Sequence, residues 1–317
     1  MADKLTKTIQ RFQAKIDAGS FYEAHQTLRT ITNRYVKSKQ YKEARDLLYQ
    51  GTSTLIKNKE YASASDLLSY LIQIYEEEKL DVGDKDAKHK LIELISSLPN
   101  DDPSLNDLAK SSIAWSQKSS ECKVFGDCDL HHLFGTKFIS ALKNNSGAGK
   151  EEEEKKSKIF AIAELHLILG TFESVPVYVD YLYELSQKNS GIDPGVYLSR
   201  AIINYAYLEN IKFMKEALSL FINKVKTDKE EEIKGVIYFE KYPLLNFLQL
   251  LVETLQKEPQ TNSQKFLKLY DYYKPELQKN KFLVPVEYIG KLYFNLILGN
   301  SNQQANMLAN FMGGLLK

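Results

Sequence analysis

The sequence predicts an all-α fold, an α-solenoid of antiparallel helix pairs in a right-handed array similar to tetratricopeptide and HEAT repeats. Three observations support this prediction. A 20-residue pattern repeats three times near the N-terminus, and apolar residues recur at helical spacing through most of the chain. The 317 residues include 15 glycines and 8 prolines, roughly 7% against a usual ~12%. A chain so poor in turn-forming residues does not suit an all-β sandwich or a glycine-rich phosphate-binding fold.

The repeat places an aromatic residue, an alanine and a leucine at positions i, i+3 and i+7. Its copies begin at Phe21, Tyr41 and Tyr61 and align without a gap. Residues at this spacing share one helix face, and the small alanine lets a neighbouring helix approach closely. Twenty residues accommodate about seventeen residues of helix and a short turn, so successive helices must run antiparallel. At this period the chain would hold about sixteen helices, fewer after loops.

Ten further helices are predicted after the repeat from apolar residues at helical spacing. Residues 101–104 (DDPS) form a start signal with Ser104 as N-cap, and residues 191–195 (GIDPG) form a loop between helices. No segment has the composition of a linker, so we predict one continuous solenoid over residues 1–317, with an N-terminal half 1–150 and a C-terminal half 151–317. The ten predicted helices are 85–98, 105–117, 130–142, 155–169, 175–187, 195–209, 212–226, 243–256, 263–273 and 285–298.

One segment interrupts the helical pattern. Residues 227–242 are rich in β-branched and aromatic side chains around Gly235, with charged residues on both sides. This pattern predicts a small β-hairpin near 233–242 inserted into the helical array. In one interpretation the segment packs its apolar residues onto the protein's own helices. In the other it offers a strand edge or an apolar surface to a partner chain.

The sequence offers no convincing catalytic, cofactor or metal site, and we expect a protein without enzymatic activity. Residues 146–150 (SGAGK) lack the first glycine and the final Ser/Thr of a phosphate-binding loop, and four glutamates follow. Cys122, Cys128, His131 and His132 are close in sequence but do not have zinc-ligand spacing. We interpret them as two buried or half-buried thiols and two structural histidines. His25 and His166 are interpreted as lone structural residues.

Charge and composition indicate a cytosolic protein that does not bind nucleic acid. The net charge is +1, without the basic excess that nucleic-acid binding requires. The apolar segments are too short to span a membrane, the N-terminus lacks a secretory signal, and two cysteines fit a reducing compartment. Residues 1–40 hold eight basic against three acidic residues, and residues 76–107 hold ten acidic residues against four lysines. Such opposed patches are usually solvated, but on a scaffold they can steer a protein partner.

Several segments, in order along the whole chain, resemble the scaffold subunit of the pathway for guided entry of tail-anchored membrane proteins. The most specific are residues 21–35 (FYEAHQTLRTITNRY) and 41–48 (YKEARDLL). One departure is Cys128, where the family usually has a proline. The other matching segments are 115–116 (WS), 125–127 (FGD), 130–131 (LH), 244–248 (LLNFL), 266–273 (FLKLYDYY) and 288–294 (YIGKLYF).

The resemblance implies a non-enzymatic α-solenoid with two protein partners. Its N-terminal face would bind a dimeric targeting ATPase and favour its ATP-bound closed state. Its C-terminal half would hold a ubiquitin-like-domain protein, partly through the hairpin, and the complex would pass clients from a glutamine-rich co-chaperone to the ATPase. The residues assigned to the ATPase are Arg11, Lys15, Tyr22, Arg29 and Arg34, with a second, regulatory contact at Glu77, Glu78 and Asp81. Those assigned to the ubiquitin-like partner are Ile233, Val236, Ile237, Tyr238, Phe239 and Tyr242.

The alternative is a generic α-solenoid scaffold of a proteasome-lid or translation-factor type complex. Such chains usually end in a winged-helix module with strands near the C-terminus. Residues 303–317 (QQANMLANFMGGLLK) change from polar to apolar and contain no strand pair. This favours the first interpretation. An enzyme would form a third class, but the sequence shows no pairing of nucleophile and base.

Overall fold

The computed structural model describes residues 2–145, 147, 149–227, 230–256 and 259–299. In this part of the chain it contains fourteen helices and one two-stranded antiparallel sheet. The chain forms two compact units, Met1–Gly170 and Thr171–Lys317. That the two units continue one array remains a prediction. The residues 303–317 that distinguished the two functional interpretations lie outside the described residues.

The first unit is a succession of helices in which each but the last packs against the next helix, the one after it, or both. The repeat is confirmed, because α2, α3 and α4 begin at the three predicted aromatic residues. Ala24, Ala44 and Ala64 are fully buried, as close helix packing requires. The helices of this unit are α1 (Ala2–Asp17), α2 (Phe21–Lys37), α3 (Tyr41–Lys57), α4 (Tyr61–Glu78), α5 (Lys85–Ser97), α6 (Leu105–Ser116), α7 (Cys128–Asn144) and α8 (Lys150–Ile168).

The same turn geometry, repeated every 20 residues, ends α1, α2 and α3. Gly19, Lys39 and Lys59 each adopt the left-handed conformation, with φ of 71°, 56° and 62°. The residue after each of them donates its backbone N–H to a carbonyl five residues earlier, as in the bond from Gln40 to Tyr35 at 2.9 Å. This is the Schellman motif, which satisfies the last carbonyls of a helix and reverses the chain. It explains why the repeat is so regular in length.

In its described residues, the second unit contains six helices and the predicted hairpin. Residue Phe239, directly after the second strand, is 2% exposed, so its ring belongs to the core of this unit. Helix α13 runs past the predicted end because Pro275 is accommodated inside it. The elements are α9 (Ser174–Lys188), α10 (Gly195–Tyr207), α11 (Ile211–Val225), β1 (Glu231–Ile233), β2 (Val236–Tyr238), α12 (Pro243–Leu255), α13 (Pro259–Lys279) and α14 (Leu283–Phe294).

The N-termini of α10 and α12 meet at one carboxylate. Asp193 accepts the backbone N–H of Gly195 at 2.7 Å and that of Leu244 at 2.8 Å, one with each carboxylate oxygen. A Cβ on Gly195 would lie 2.5 Å from the backbone nitrogen of Leu245, so only glycine permits this approach. The predicted loop at residues 191–195 therefore joins the starts of two helices, Gly195 and Pro243, that are 48 residues apart in sequence.

Candidate partner-binding sites

The last turn of α1 and one face of α2 form a groove that we call the N-terminal groove. Lys15, Tyr22 and Arg34, three of the five residues assigned to the ATPase, lie together in its lining. The Tyr22 ring is 74% exposed, and the Lys15 ammonium pairs with Glu23 at 3.1 Å. An exposed aromatic ring between cationic side chains suits an acidic protein surface with apolar contacts. The other residues lining this groove are Glu23, Gln26, Thr27, Thr30 and Ile31.

The other two residues assigned to the ATPase occupy different environments. Arg11 is exposed on α1, beside the buried Phe12. Arg29 is held by α4, because its guanidinium donates to the Asp66 carboxylate at 2.5 Å and lies 5.3 Å above the centre of the Tyr70 ring. The guanidinium of Arg29 thus already binds residues of its own unit, and only part of it remains available to a partner.

Asp66 organises this part of α2, a role that we did not predict. Its carboxylate lies 2.6 Å from the Nε2 atom of His25, so His25 is not the lone residue we predicted. Burial raises the pKa of Asp66, but the bonds from Arg29 and His25 outweigh this effect and lower it. The repeat offered one signal, since α2 and α4 are two periods apart and therefore stack on the same side of the array.

The acidic residues at the end of α4 are also unequal. Glu78 pairs with Arg45 of α3 at 3.0 Å, and the Tyr41 hydroxyl donates to Glu77 at 3.2 Å. Asp81 is exposed, shapes the following turn by accepting the backbone N–H of Gly83 at 2.7 Å, and lines a pocket with Trp115 and Lys118. Glu77 and Asp81 thus remain available at the surface, while Glu78 mainly joins two helices.

The hairpin forms as predicted, with a two-residue turn. Lys234 and Gly235 both have positive φ, 53° and 84°, as a type I′ turn requires. Ile233 and Tyr238 are about half exposed, at 50% and 52%. Val236, Ile237 and Tyr242 are half-buried, whereas the buried Phe239 supports the hairpin from below and offers no surface. The first interpretation is thus confirmed for Phe239, and a partner surface at the exposed residues remains a prediction.

The hairpin forms one wall of a second groove, which we call the hairpin groove. Its other walls are α11 and α12, and apolar side chains from all three elements line it. Val236 and Ile237 are the two predicted partner residues that line this groove. The side chains from the helices are Lys215, Leu218, Ser219, Ile222, Asn223, Gln249, Val252, Glu253 and Gln256.

A third groove, between α12 and α13, was not anticipated from the sequence. Tyr272 and Tyr273 line it together with Leu250 and Leu269, and the Tyr272 ring is 79% exposed. Three tyrosines within residues 270–273 were the available signal, since so exposed an aromatic ring usually marks a contact surface. This groove belongs to the same unit as the hairpin and extends its apolar surface.

Of the residues considered for zinc, His131 has another role. In the described part of the chain, no three His, Cys, Asp or Glu side chains are placed to hold a metal ion. Cys128 is exposed, so our interpretation of both thiols as buried or half-buried was wrong for this residue. Two residues of the phosphate-loop candidate, Ser146 and Ala148, lie outside the described residues. Its last residue, Lys150, is the first residue of α8.

His131 and His166 form a buried pair between α7 and α8, which corrects the interpretation of His166 as a lone residue. Their Nδ1 atoms are 2.8 Å apart, and Nε2 of His131 lies 2.7 Å from the carbonyl oxygen of Phe125. That carbonyl requires a proton on Nε2 of His131, so Nδ1 of His166 donates to Nδ1 of His131. Burial favours the neutral form of both rings. Burial lowers the pKa of His131, and burial together with the neighbouring ring lowers the pKa of His166 to about 3.

This pair predicts that the first unit loses stability in mild acid. The pKa of an unfolded histidine is near 6.5, whereas that of folded His166 is about 3. The contribution of His166 to the free energy of unfolding is therefore fully present above pH 6.5 and is lost as the pH falls towards 3. We expect His166 alone to lower the free energy of unfolding by about 2 kcal/mol between pH 7 and pH 5. Urea titrations followed by the fluorescence of Trp115, the single tryptophan, measure this. His89→Gln, at an exposed position, should keep the loss, and His166→Gln should reduce it. Equal pH dependence in all three proteins would contradict the prediction.

Among the residues that the structure describes, no helix is both long and apolar enough to cross a membrane.

Comparison with known proteins identifies similar chains along nearly the full length. The sequence model of the family described as GET4, Golgi to ER traffic protein 4, matches residues 38–316. A Golgi to ER traffic protein 4 of Aspergillus fumigatus is 29% identical and aligns with 100% of this chain and 91% of its own length. The Schizosaccharomyces pombe protein of the same name is 28% identical, over 93% and 90%. The crystal structure of C. therm. Get4 superposes with a TM-score of 0.79 at 27% identity, covering 99% of this chain and 96% of that one.

Proposed function

This chain belongs to the Golgi to ER traffic protein 4 family, and from this premise we propose how it acts. It is an all-α solenoid protein with a role in Golgi-to-ER traffic. We propose that it serves in the cytosol as a non-enzymatic scaffold for the targeting of tail-anchored membrane proteins to the endoplasmic reticulum. It bridges a ubiquitin-like-domain protein and a dimeric targeting ATPase, and brings clients from a glutamine-rich co-chaperone to that ATPase.

The observation that carries this proposal is that each compact unit has its own groove, and the two grooves differ in chemistry. The N-terminal groove combines Lys15 and Arg34 with an exposed tyrosine ring. The hairpin groove mixes aliphatic side chains such as Leu218 and Val236 with polar ones, and the groove between α12 and α13 adds the exposed Tyr272 ring. Charged surfaces favour fast, reversible association, whereas apolar grooves favour stable complexes. Two such surfaces suit a scaffold that holds one partner permanently and the other transiently.

The ATPase contact is proposed at the N-terminal groove and at Arg11. Lys15, Tyr22 and Arg34 would face an acidic surface of the closed ATPase, and Arg29 would contribute from its place beside Asp66. Glu77 and Asp81 would form the second contact, which restrains hydrolysis until a client is loaded, with Glu78 holding α4 in position for them. Interactions with only the closed ATPase would favour that state by their differential binding energy.

Charge reversal tests the ATPase contact through its rate of association. We expect Arg11→Glu or Arg34→Glu to slow association roughly three- to tenfold at low salt and to change how the association rate depends on salt. The reason is that electrostatic steering acts mainly on the rate at which the two proteins encounter each other. Stopped-flow measurements with the ATP-bound ATPase at several salt concentrations report this. Arg29 is a less suitable site, since its reversal would also leave Asp66 without its partner.

Lys37→Glu provides a matched control for charge reversal. Lys37 is exposed on the same helix as Arg34 but does not line the N-terminal groove. The same change in net charge should therefore have a much smaller effect. An unchanged association rate of the Arg11 and Arg34 variants, or an equal effect of Lys37→Glu, would refute the proposed ATPase contact on this face.

Affinity purification of the tagged chain from its own cytosol tests the proposal as a whole. We expect a ubiquitin-like-domain protein in near-equal amount, and a P-loop ATPase whose recovery increases with ATP. Recovery of proteasome-lid or translation-factor subunits instead would favour the alternative scaffold role and would refute the bridging role.

A further inference from the structure

The backbone of β2 is bound on its outer edge by a side chain of α12. The N–H of Ile237 donates to Oε1 of Gln249 at 3.0 Å, and Nε2 of Gln249 donates to the carbonyl oxygen of Ile237 at 2.8 Å. A single amide group thus makes both hydrogen bonds that a neighbouring strand would make to this residue.

A second amide repeats the same contact two residues further on. The N–H of Phe239 donates to Oδ1 of Asn246 at 3.0 Å, and Nδ2 of Asn246 donates to the carbonyl oxygen of Phe239 at 2.8 Å. Asn246 and Gln249 are each 6% exposed and stand one helical turn apart on α12. One turn of α12 thus places its two amides opposite two alternate residues of the extended chain.

The register of the hairpin shows which groups these amides bind. Ile233 and Val236 close the two-residue turn, so Ile237 is opposite Glu232 at a position without hydrogen bonds between the strands. The N–H and carbonyl of Ile237 therefore point away from β1, towards α12. The edge of β2 that a partner strand would need is already occupied.

We propose that Asn246 and Gln249 are positioning residues, an amide clamp that holds the hairpin folded and docked on α12 before any partner binds. A two-stranded hairpin with strands of three residues is marginal on its own. β1 is exposed along its whole length, so the contacts that fix the hairpin must come from β2. The clamp supplies four hydrogen bonds in a buried setting, where they are strongest.

The clamp also determines how a partner meets the hairpin. Because the β2 edge is closed, the partner contacts the side chains of the hairpin groove and does not add a strand to β2. Since the hairpin is already folded before binding, none of the binding free energy is lost in ordering it. This second part rests on the proposed function, which assigns the ubiquitin-like-domain partner to this groove.

Hydrogen exchange of the full chain without partner tests the clamp itself. In Gln249→Met and Asn246→Leu, which keep the approximate side-chain size and remove the hydrogen bonds, the backbone amides of Ile237 and Phe239 should exchange roughly 10- to 100-fold faster. Gln256→Met is the control, because this amide lines the same groove but donates to the carbonyl of Val252 in its own helix. Unaltered exchange in both variants, with unaltered thermal stability, would overturn the clamp.

Binding kinetics of Asn246→Leu, whose side chain does not line the hairpin groove, with the ubiquitin-like-domain protein then test the consequence for the partner. If the hairpin is folded for only part of the time, the association rate and the affinity fall by that fraction, whereas the dissociation rate remains close to that of the parent protein. A merely structural weakening of the unit would lower thermal stability without this separation of rates. Faster exchange combined with unchanged association would overturn the assignment of the hairpin to this partner and leave the clamp intact.

Discussion

Replacing Ile237 with aspartate is expected to weaken the complex with the ubiquitin-like-domain partner by about a hundredfold or more. Ile237 is half-buried and lines the hairpin groove, and its backbone is fixed by Gln249. The new carboxylate therefore has no freedom to leave the groove when the partner covers it. Desolvating an unpaired charge in such a site costs about 3 kcal/mol or more, which corresponds to this loss. Isothermal titration calorimetry of the purified proteins measures it.

Ile237→Val serves as the matched control for this substitution. It keeps an apolar β-branched side chain at the same place in β2 and should bind within a few-fold of the parent protein. Hydrogen exchange at Phe239 shows whether the hairpin stays docked in both variants. Full binding by a folded Ile237→Asp protein would refute the partner site on the hairpin.

Replacing Asp193 with alanine is expected to lower the free energy of unfolding of the second unit by about 3 kcal/mol. The carboxylate accepts one backbone N–H at the start of α10 and another at the start of α12. Each helix N-terminus carries a partial positive charge, so both bonds are favoured by the helix dipoles as well. Without the carboxylate two inward-facing N–H groups lose their acceptors. Chemical denaturation followed by circular dichroism measures the change.

Two further substitutions separate capping from a general effect of charge. Asp193→Asn retains one acceptor oxygen and should lose about half as much stability. Asp271→Ala removes an exposed carboxylate of the same unit and should change stability by less than about 0.5 kcal/mol. A loss below about 1 kcal/mol for Asp193→Ala would show that water or another group replaces the cap.

The helices of the first unit could be predicted because local information determines them. An aromatic residue, an alanine and a leucine on one face specify where each helix begins and which side is buried. The turn residues were harder to foresee, since Lys39 and Lys59 adopt a conformation for which glycine is the usual choice. Each helix must end at these positions for the 20-residue repeat to continue, so the two lysines adopt the left-handed conformation although non-glycine residues disfavour it.

The candidate sites were predicted as segments and only in part as residues. Whether a charged residue is free for a partner depends on its neighbour in the fold, and Arg29 meets Asp66 across 37 positions of sequence. Likewise, alternation within a strand would place Phe239 on one side or the other of the hairpin, and contact with α12 decides that it is buried. Such pairings require the positions of distant elements, which a single sequence does not contain.

The stacking of the first unit has a consequence for how the protein is made. Each of helices α1 to α7 contacts the next helix, the one after it, or both, so these contacts form between residues close in sequence. Chains with such local contacts fold fast and need no distant segment to begin. Residues 1–170 can therefore assemble helix by helix while the ribosome is still translating the hairpin and α12. The surface proposed for the ATPase would then be complete before the groove for the second partner exists, and the order of synthesis would set the order of assembly.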